Sequence, residues 1–119
     1  MDPPAECETV TSWDDVGALA LALPGAERAK SYCREAIKVR GKVILVTGRT
    51  EDHFVLTATL DEVAMLMGTD PMCFFLTPHY VGWPGVLVRY AAADPQRIAA
   101  LVERAWARRA SKAQLAARG

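Results

Sequence analysis

The sequence predicts a single α+β domain, in which helices at both ends and in the middle of the chain flank short strands. Apolar residues recur at helical spacing in three segments, and the segments between them are short runs rich in β-branched and aromatic residues. Turn-forming Gly, Pro, Asp and Thr separate these runs. With 119 residues and 51% apolar content, the chain is long enough to bury one core without metal ions or disulfides. We therefore expect no second domain.

The first helix is predicted in the segment TSWDDVGALALAL. Thr11 and Ser12 are each followed three residues later by an aspartate, so either hydroxyl can cap the free backbone amides of the first turn. Pro24-Gly25 ends this helix. Its apolar stripe consists of Val16, Leu19, Ala20 and Leu23.

Four short strands are predicted next, in the segments RAKSY, AIKV, KVILV and HFVLTA. The polar segment GRTED separates the last two, and the order indicates an antiparallel meander. If Arg40-Gly41 is a two-residue turn, Val39 faces Lys42. In the same register Ile37 faces Ile44, and these four side chains share one face of the hairpin. A longer turn would change this register.

The second half of the chain is predicted to alternate again between helix and strand. Thr59 caps a second helix, Glu62 completes its capping box and Gly68 ends it. Two apolar runs, CFFLT and GVLVRY, follow as neighbouring strands of four residues or more. Asp94-Pro95 starts a third helix, with aspartate as the cap and proline at the first helical position. Ser111 can cap a final short helical turn.

The charge of the chain is balanced overall but unevenly distributed. There are 14 basic and 14 acidic residues, so the formal net charge is zero, whereas sequence-independent nucleic-acid binders are usually cations. Residues 1–80 contain seven Lys and Arg against twelve Asp and Glu, a net charge of −5. Residues 81–119 contain seven against two, a net charge of +5. This asymmetry permits either a basic binding face or a basic helix exposed to solvent.

The three cysteines, Cys7, Cys33 and Cys73, are odd in number and form no C-x-x-C pair. This argues against a disulfide framework and indicates a reducing compartment, so we expect a cytoplasmic protein. The acidic N-terminus lacks the features of a secretion signal, and no apolar run approaches the ~20 residues that span a membrane. We expect residues 1–11 to form a flexible tail and residues 12–119 to form the domain.

Four segments, in this order and spacing, carry a resemblance to a known family: WDDVGALALALPGAE, IKVRGKVI, TPHYVGWPGVLVRY and DPQRIAALVERAWARRASKAQLA. Together they resemble the MmcQ/YjbR family over nearly the whole chain. The resemblance implies a two-layer α+β fold, similar to secretion chaperones and frataxin-like proteins, with helices on one face of an antiparallel sheet of five or six strands. The chain departs from the family pattern at Ser111, where proline is usual, and at Trp83-Pro84-Gly85, which places the tryptophan in a loop.

The resemblance also implies two alternative functions. The family is described as predicted DNA-binding proteins with a double-wing motif, and some members resemble products of antibiotic-producing gene sets, which suggests a small-molecule role instead. The positions that match the family pattern are Gly41 and Lys42 at the hairpin turn, Pro78, His79 and Tyr80 at a corner between strands, Arg89 in the following strand, and Lys112 near the end of the chain.

Two sets of residues are therefore candidate binding sites. Weak, salt-sensitive DNA binding would use the basic hairpin as a wing, although alternating lysines on an exposed sheet face are also ordinary solvent contacts. Its candidate residues are Lys38, Arg40, Lys42, Arg104, Arg108 and Lys112. A planar small molecule could instead bind at the aromatic corner, or the corner could be packed core. The candidate residues there are Lys42, Pro78, His79, Tyr80, Trp83 and Arg89.

No catalytic or metal site is predicted. The sequence shows no nucleophile beside a base, no paired carboxylates on rigid elements, and no two metal-ligand residues at zinc-site spacing. His79 could act as an acid or base, or bond a turn carbonyl, and His53 is expected to be solvated. We therefore expect a non-enzymatic binding protein without a cofactor. An exposed edge strand would permit a homodimer as well as a monomer.

Overall fold

The computed structural model describes residues 12–31, 34–50, 52–92 and 94–118. These residues form helices and one antiparallel sheet in the order that the sequence predicts. The predicted tail with Cys7 lies outside the described residues, as does Cys33. The helices are α1 (Trp13–Leu21), α2 (Leu60–Thr69), α3 (Pro95–Ala107) and α4 (Lys112–Arg118). The strands are β1 (Ala26–Ser31), β2 (Arg34–Val39), β3 (Lys42–Thr47), β4 (His53–Thr57), β5 (Phe74–Phe75) and β6 (Gly85–Arg89).

The six strands pair in the order β1-β2-β3-β4-β6-β5, and every pair is antiparallel. The first four strands form the predicted meander, and β6 lies between β4 and the edge strand β5. Helices pack on one face of the sheet, which confirms the two-layer α+β fold that the family resemblance implies. Among the described residues, no helix is both long enough and apolar enough to cross a membrane.

The larger core lies between the sheet and the helices. Trp106 of α3 is fully buried there, and its indole nitrogen donates a hydrogen bond to the Pro24 carbonyl at 2.7 Å. This bond ties the end of α3 to the loop that follows α1. Other large side chains buried in this core are Ile37, Ile44, Leu45, Phe54, Leu56, Leu66, Phe74 and Ile98.

A second apolar cluster covers the opposite face of the sheet. Val46, Val55 and Leu87 lie side by side on β3, β4 and β6, and the ring of Tyr80 packs against them. Tyr80 ends a short 3-10 turn at Pro78–Tyr80, between β5 and β6. With both faces covered, all five residues of β4 are buried.

The β2–β3 hairpin turns at Arg40 and Gly41, which both adopt left-handed backbone conformations with φ of 54° and 80°. Such conformations are those of the two-residue turns that match the twist of antiparallel strands. The predicted two-residue turn is thus confirmed, and Val39 faces Lys42 as expected.

A β-bulge changes the register further along the same hairpin. Ile37 faces Leu45, whereas Lys38 faces Val43, so Ile44 is an additional residue in β3. The predicted pairing of Ile37 with Ile44 is therefore wrong. The bulge has a packing reason, since Ile44 and Leu45 are both fully buried in the core between the sheet and the helices.

Strand β5 is shorter than the four or more residues predicted for it. Only Phe74 and Phe75 pair with β6. On one side, the amides of Cys73 and Phe74 both donate to the Asp70 carbonyl in the turn that follows α2. On the other side, Pro78 begins the 3-10 turn. The residues at both ends of the apolar run therefore belong to turns, and only two residues remain to pair with β6.

The predicted N-terminal helix caps are confirmed, whereas Gly68, predicted to end α2, lies within that helix. The side chains of Ser12, Thr59 and Asp94 each accept a hydrogen bond from a first-turn amide, of α1, α2 and α3 respectively. Ser111 accepts a hydrogen bond from the Gln114 amide at 3.1 Å, and the Gln114 side chain accepts one from the Ser111 amide at 2.9 Å. The two residues thus cap the start of α4 reciprocally.

Glu62 does not complete the predicted capping box with Thr59. Its side chain is 6% exposed, with Arg108 Nη1 at 3.2 Å from Oε1 and Arg104 Nη2 at 3.1 Å from Oε2. Arg104 contributes nearby charge rather than an aligned hydrogen bond, while Arg108 also donates to the Thr57 carbonyl at 2.9 Å. A buried carboxylate requires a compensating charge. This network therefore takes the side chain away from the cap and links α2, α3 and β4.

Gly48, which follows β3, lies directly against His53 at the start of β4. A methyl group on Gly48 would come within 2.5 Å of the His53 ring and 2.6 Å of its carbonyl oxygen. The expectation that His53 is solvated is wrong, because the residue is 8% exposed. Only glycine therefore fits between the end of β3 and this histidine.

The variant Glu62→Gln is expected to destabilise the fold. It keeps the size of the side chain but removes the charge that Arg104 and Arg108 neutralise, so the free energy of unfolding should fall by about 1–3 kcal/mol. Urea denaturation followed by circular dichroism measures this change. Asp61→Asn removes the neighbouring exposed carboxylate and serves as the control, with an expected change of about 0.5 kcal/mol or less. Equal effects of the two variants would contradict the role assigned to the network.

Two glycine variants are expected to change stability in opposite directions. Gly48→Ala should lower the free energy of unfolding by about 1–3 kcal/mol, because the methyl group overlaps backbone as well as side-chain atoms of His53. Gly68→Ala should raise it by roughly 0.5–1 kcal/mol, since a methyl group there meets nothing within 4 Å and lies in α2. Thermal unfolding of both variants tests this. If Gly48→Ala left the stability unchanged, the structure around His53 would have to adjust to the added methyl group at little cost.

Candidate functional site

The antiparallel register gives the sheet two ends that differ in chemistry. Strands β1, β3 and β6 begin at one end, where the Arg40-Gly41 turn lies and Ala26 faces Val39. We call this the hairpin end. At the opposite end β3 leads into β4, and His53 faces Arg89. We call this the cavity end, after the cavity described below.

Several predicted nucleic-acid-binding residues lie at the hairpin end. Arg40 and Lys42 are exposed at the turn, and Lys38 is half-buried opposite Glu27 of β1. The end of α3 and the start of α4 lie beside the loop before β1, so Lys112, which is exposed, belongs to the same end. The fold thus brings together cations that are far apart in the sequence.

The other two predicted cations are engaged within the protein. Arg104 and Arg108 neutralise the buried Glu62, although Arg104 remains 60% exposed. A phosphate that approached either arginine would compete with this carboxylate. Arg108 is held more firmly, because it also bonds the Thr57 carbonyl.

The aromatic corner is packed at its centre. Tyr80 is buried, and its hydroxyl accepts a hydrogen bond from Arg34 Nη2 at 3.1 Å. Trp83 lies edge-on to the Tyr80 ring, with centroids 5.4 Å apart, and is 39% exposed. His79 is also edge-on to Tyr80, at 5.0 Å, and is exposed together with Pro78. The corner therefore offers an exposed rim around a filled centre.

Two further residues of the predicted ligand set lie apart from the corner. Lys42 belongs to the helix-covered face of its hairpin, whereas Tyr80 packs on the other face. Arg89 lies at the cavity end, where its guanidinium stacks 3.9 Å above the centre of the Phe75 ring. The structure does not unite the predicted ligand set in one place.

A cavity of about 420 Å³ opens at the cavity end of the sheet. It lies between the start of α1, the β3–β4 connection and the residue that follows β6. Its walls are formed by Ser12, Trp13, Asp14, residues 47–50, His53 and Tyr90. The walls thus combine aromatic rings with hydroxyl groups and with charged groups of both signs.

The two aromatic walls are held by contacts outside the cavity. Trp13 Nε1 donates a hydrogen bond to Glu35 Oε1 at 3.1 Å. The Tyr90 ring packs on Phe54, with ring centroids 5.3 Å apart, and the Tyr90 amide donates to the Asp52 carbonyl. Neither ring depends on a ligand for its position.

The hydroxyl of Tyr90 is protonated at neutral pH. Burial raises the pKa of Tyr90, and the negative charges of Asp15 and Asp14 raise it further. Asp14 and Arg49 are the exposed charged residues in the cavity wall. A bound molecule could therefore meet a hydroxyl donor, a carboxylate and a guanidinium.

His53 forms the polar wall of the cavity together with its neighbours. Its Nδ1 lies 2.8 Å from Asp52 Oδ1 and 3.2 Å from the Thr50 hydroxyl, and its ring is edge-on to Phe75. The Thr50 hydroxyl also donates to Asp52. This hydrogen bond, followed by the contact with His53, lowers the pKa of Asp52. The imidazole is thus fixed from two sides.

The cavity could not be recognised from local sequence patterns. Its walls come from residues 12–14, residues 47–50, His53 and Tyr90, and no motif of fixed spacing joins these segments. The available signals were weak, namely Trp13 directly after a helix cap and the polar GRTED segment before a strand. Only the folded arrangement brings them together.

Neither a metal site nor a reactive thiol is found within residues 12–31, 34–50, 52–92 and 94–118. No group of three or more His, Cys, Asp or Glu residues there could hold a metal ion. Cys73 is buried, and burial raises the pKa of its thiol. A protonated, inaccessible thiol is a poor nucleophile.

Comparison with known proteins agrees with this fold. The crystal structure of protein DR2400 from Deinococcus radiodurans, which has a DUF419 domain, is similar with a TM-score of 0.70 at 13% sequence identity. The similarity covers 88% of this chain and 86% of that one, and at this identity it shows a shared fold. No curated protein matches the chain. The YjbR family model matches residues 21–108, which is most of the chain, and the protein therefore belongs to the YjbR family.

Proposed function

We propose that this protein is a non-enzymatic, cytoplasmic binding protein for a small planar molecule, and that the molecule binds in the cavity at the cavity end of the sheet. The observation that carries the proposal is the cavity itself. Its volume of about 420 Å³ lies within the range of about 300–1,000 Å³ that ligand sites occupy. Trp13 and Tyr90 provide apolar walls against which a flat molecule can pack.

The walls are suited to binding because they are already in place. Trp13 is held by its hydrogen bond to Glu35, and His53 by its contact with Asp52. Side chains that are ordered before binding lose little conformational entropy when a ligand arrives. A site of this kind can therefore bind a small molecule with only a few direct contacts.

The hydroxyl groups of the cavity support a binding role rather than a catalytic one. The Thr50 hydroxyl lies 3.2 Å from His53 Nδ1, but it donates its proton to Asp52, and His53 Nδ1 itself contacts Asp52 at 2.8 Å, so the hydroxyl proton is not directed at the imidazole. The Ser12 hydroxyl serves as the cap of α1 and accepts the Asp15 amide. Nucleophilic catalysis requires a hydroxyl or thiol that donates directly to a base, and neither residue has that arrangement.

A second candidate function is weak nucleic-acid binding at the hairpin end. The observation that favours it is that Lys38, Arg40 and Lys42 lie around the β2–β3 turn, with Lys112 at the same end of the sheet. A tight hairpin with cations on both sides of its turn has a shape suited to a nucleic-acid groove. Glu27 lies opposite Lys38 and reduces the positive charge available, which is why we expect this binding to be weak and dependent on salt.

Trp13→Ala is expected to weaken the binding of planar aromatic molecules by about tenfold, because a well-packed aromatic side chain in a binding site often contributes more than 1 kcal/mol. Ligand-observed NMR against a panel of planar aromatic amines, phenols and carboxylates identifies binders, and titration of each gives its affinity. Trp83→Ala is the matched control, since Trp83 is also partly exposed but lies at the aromatic corner. A larger loss with Trp83→Ala would move the site to the corner, and a panel without binders would refute the small-molecule function.

Nucleic-acid binding is tested through its dependence on salt. If Lys38, Arg40 and Lys42 contact phosphates, log affinity should fall with log salt at a slope near about −2.7, or roughly 0.9 for each contact. Fluorescence anisotropy with a random-sequence duplex at about 50 and 200 mM salt gives this slope. The double variant Lys38→Ala, Arg40→Ala should flatten it by about 1.8, whereas Arg49→Ala at the cavity end should not. Absence of binding at the lower salt concentration would eliminate this function.

A further inference from the structure

The charged groups around the cavity are predominantly negative. Among the described residues, Asp14 lies in the cavity wall and Asp15 follows it in α1. Two further carboxylates contact wall residues directly, since Glu35 accepts from Trp13 and Asp52 accepts from Thr50. The cavity therefore lies in a region where carboxylates come from α1, β2 and the β3–β4 connection.

The nearby guanidinium groups offset this charge only in part. Arg49 lies in the cavity wall and is exposed. Arg34 donates to the Thr47 carbonyl in the cavity wall and to the Tyr80 hydroxyl on the opposite face of the sheet. Arg89 stacks on Phe75. In the part of the chain that the structure describes, Arg49 is thus the cation in the cavity wall and Arg34 contacts the wall from behind, against carboxylates from α1, β2 and the β3–β4 connection. Burial raises the pKa of the Tyr90 hydroxyl, and the charges of these same two carboxylates, Asp15 and Asp14, raise it further.

We infer that the cavity binds an aromatic molecule that carries a positive charge, such as an aryl-alkyl amine, with the ring against Trp13 and Tyr90 and the ammonium group near Asp14. Aromatic faces attract cations through their quadrupole, and a carboxylate at the edge of an aromatic wall adds a direct ion pair. Both effects favour a cation over a neutral or anionic molecule of the same shape. This inference rests on the proposed function, because it names the chemical class that the same cavity takes.

The test compares three indoles that share one ring and a two-carbon substituent. Tryptamine is a cation, 3-ethylindole is neutral and indole-3-acetate is an anion at neutral pH. Isothermal titration calorimetry or ligand-observed NMR on the full chain gives their affinities. We expect tryptamine to bind on the order of fivefold more tightly than 3-ethylindole, and indole-3-acetate to bind most weakly.

Asp14→Asn should weaken tryptamine binding by about two- to fivefold, the range for an exposed ion pair, and leave the affinity for 3-ethylindole unchanged. Arg49→Gln should strengthen tryptamine binding. Asp61→Asn is the matched control, because Asp61 occupies the same second position in α2 that Asp14 occupies in α1. It should leave all three affinities unchanged.

The outcomes separate this inference from the proposed function. Tighter binding of indole-3-acetate, or equal binding of all three probes, would overturn the inference while the cavity remained a ligand site. An Asp14→Asn variant that weakens tryptamine and 3-ethylindole equally would also overturn it, because charge would not be the cause. If none of the three probes binds and a wider panel of aromatic molecules yields no binder, both the inference and the proposed function are overturned.

Discussion

Strand β4 must be shielded from water on both of its faces, and much of the structure follows from this constraint. All of its residues are buried, with Phe54 and Leu56 facing the helices and Val55 facing the other way. Helices on one side alone would leave Val55 and its neighbours on β3 and β6 in water. The connection between β5 and β6 therefore covers the second face, and the ring of Tyr80 lies over it.

This covering role explains why the aromatic corner and the cavity are different places. Tyr80 fills the corner and is tied by Arg34, which also donates to the Thr47 carbonyl at 3.1 Å, so the corner is fastened to β2 and β3. Free volume occurs instead at the cavity end of the sheet, between the start of α1, the β3–β4 connection and Tyr90. An aromatic cluster in a sequence can therefore indicate side chains that cover an apolar face of a sheet, just as it can indicate a ligand-binding site.

Features that depend on local chemistry could be predicted from the sequence, and features that depend on contacts between distant elements could not. The cap at Thr59 and the Arg40-Gly41 turn depend on residues that are close together in the sequence. The residues that predict each feature are therefore the same residues that form it in the structure. The bulge at Ile44 arises from packing against helices, and Glu62 turns to Arg108, 46 residues later in the chain. The cavity is of the second kind, since its walls meet only when the chain has folded. The family resemblance provided the two-layer arrangement, which spacing alone leaves undetermined.

The length of the strands has a consequence for how the two ends communicate. Strand β3 runs from Lys42 at the basic turn to Thr47 at the cavity wall, a span of about 17 Å at roughly 3.3 Å per residue. Screening at physiological ionic strength acts over about 8 Å, so the charge of a molecule in the cavity is not felt at the hairpin. A charged molecule bound at one end would therefore leave the electrostatic potential at the other end unchanged.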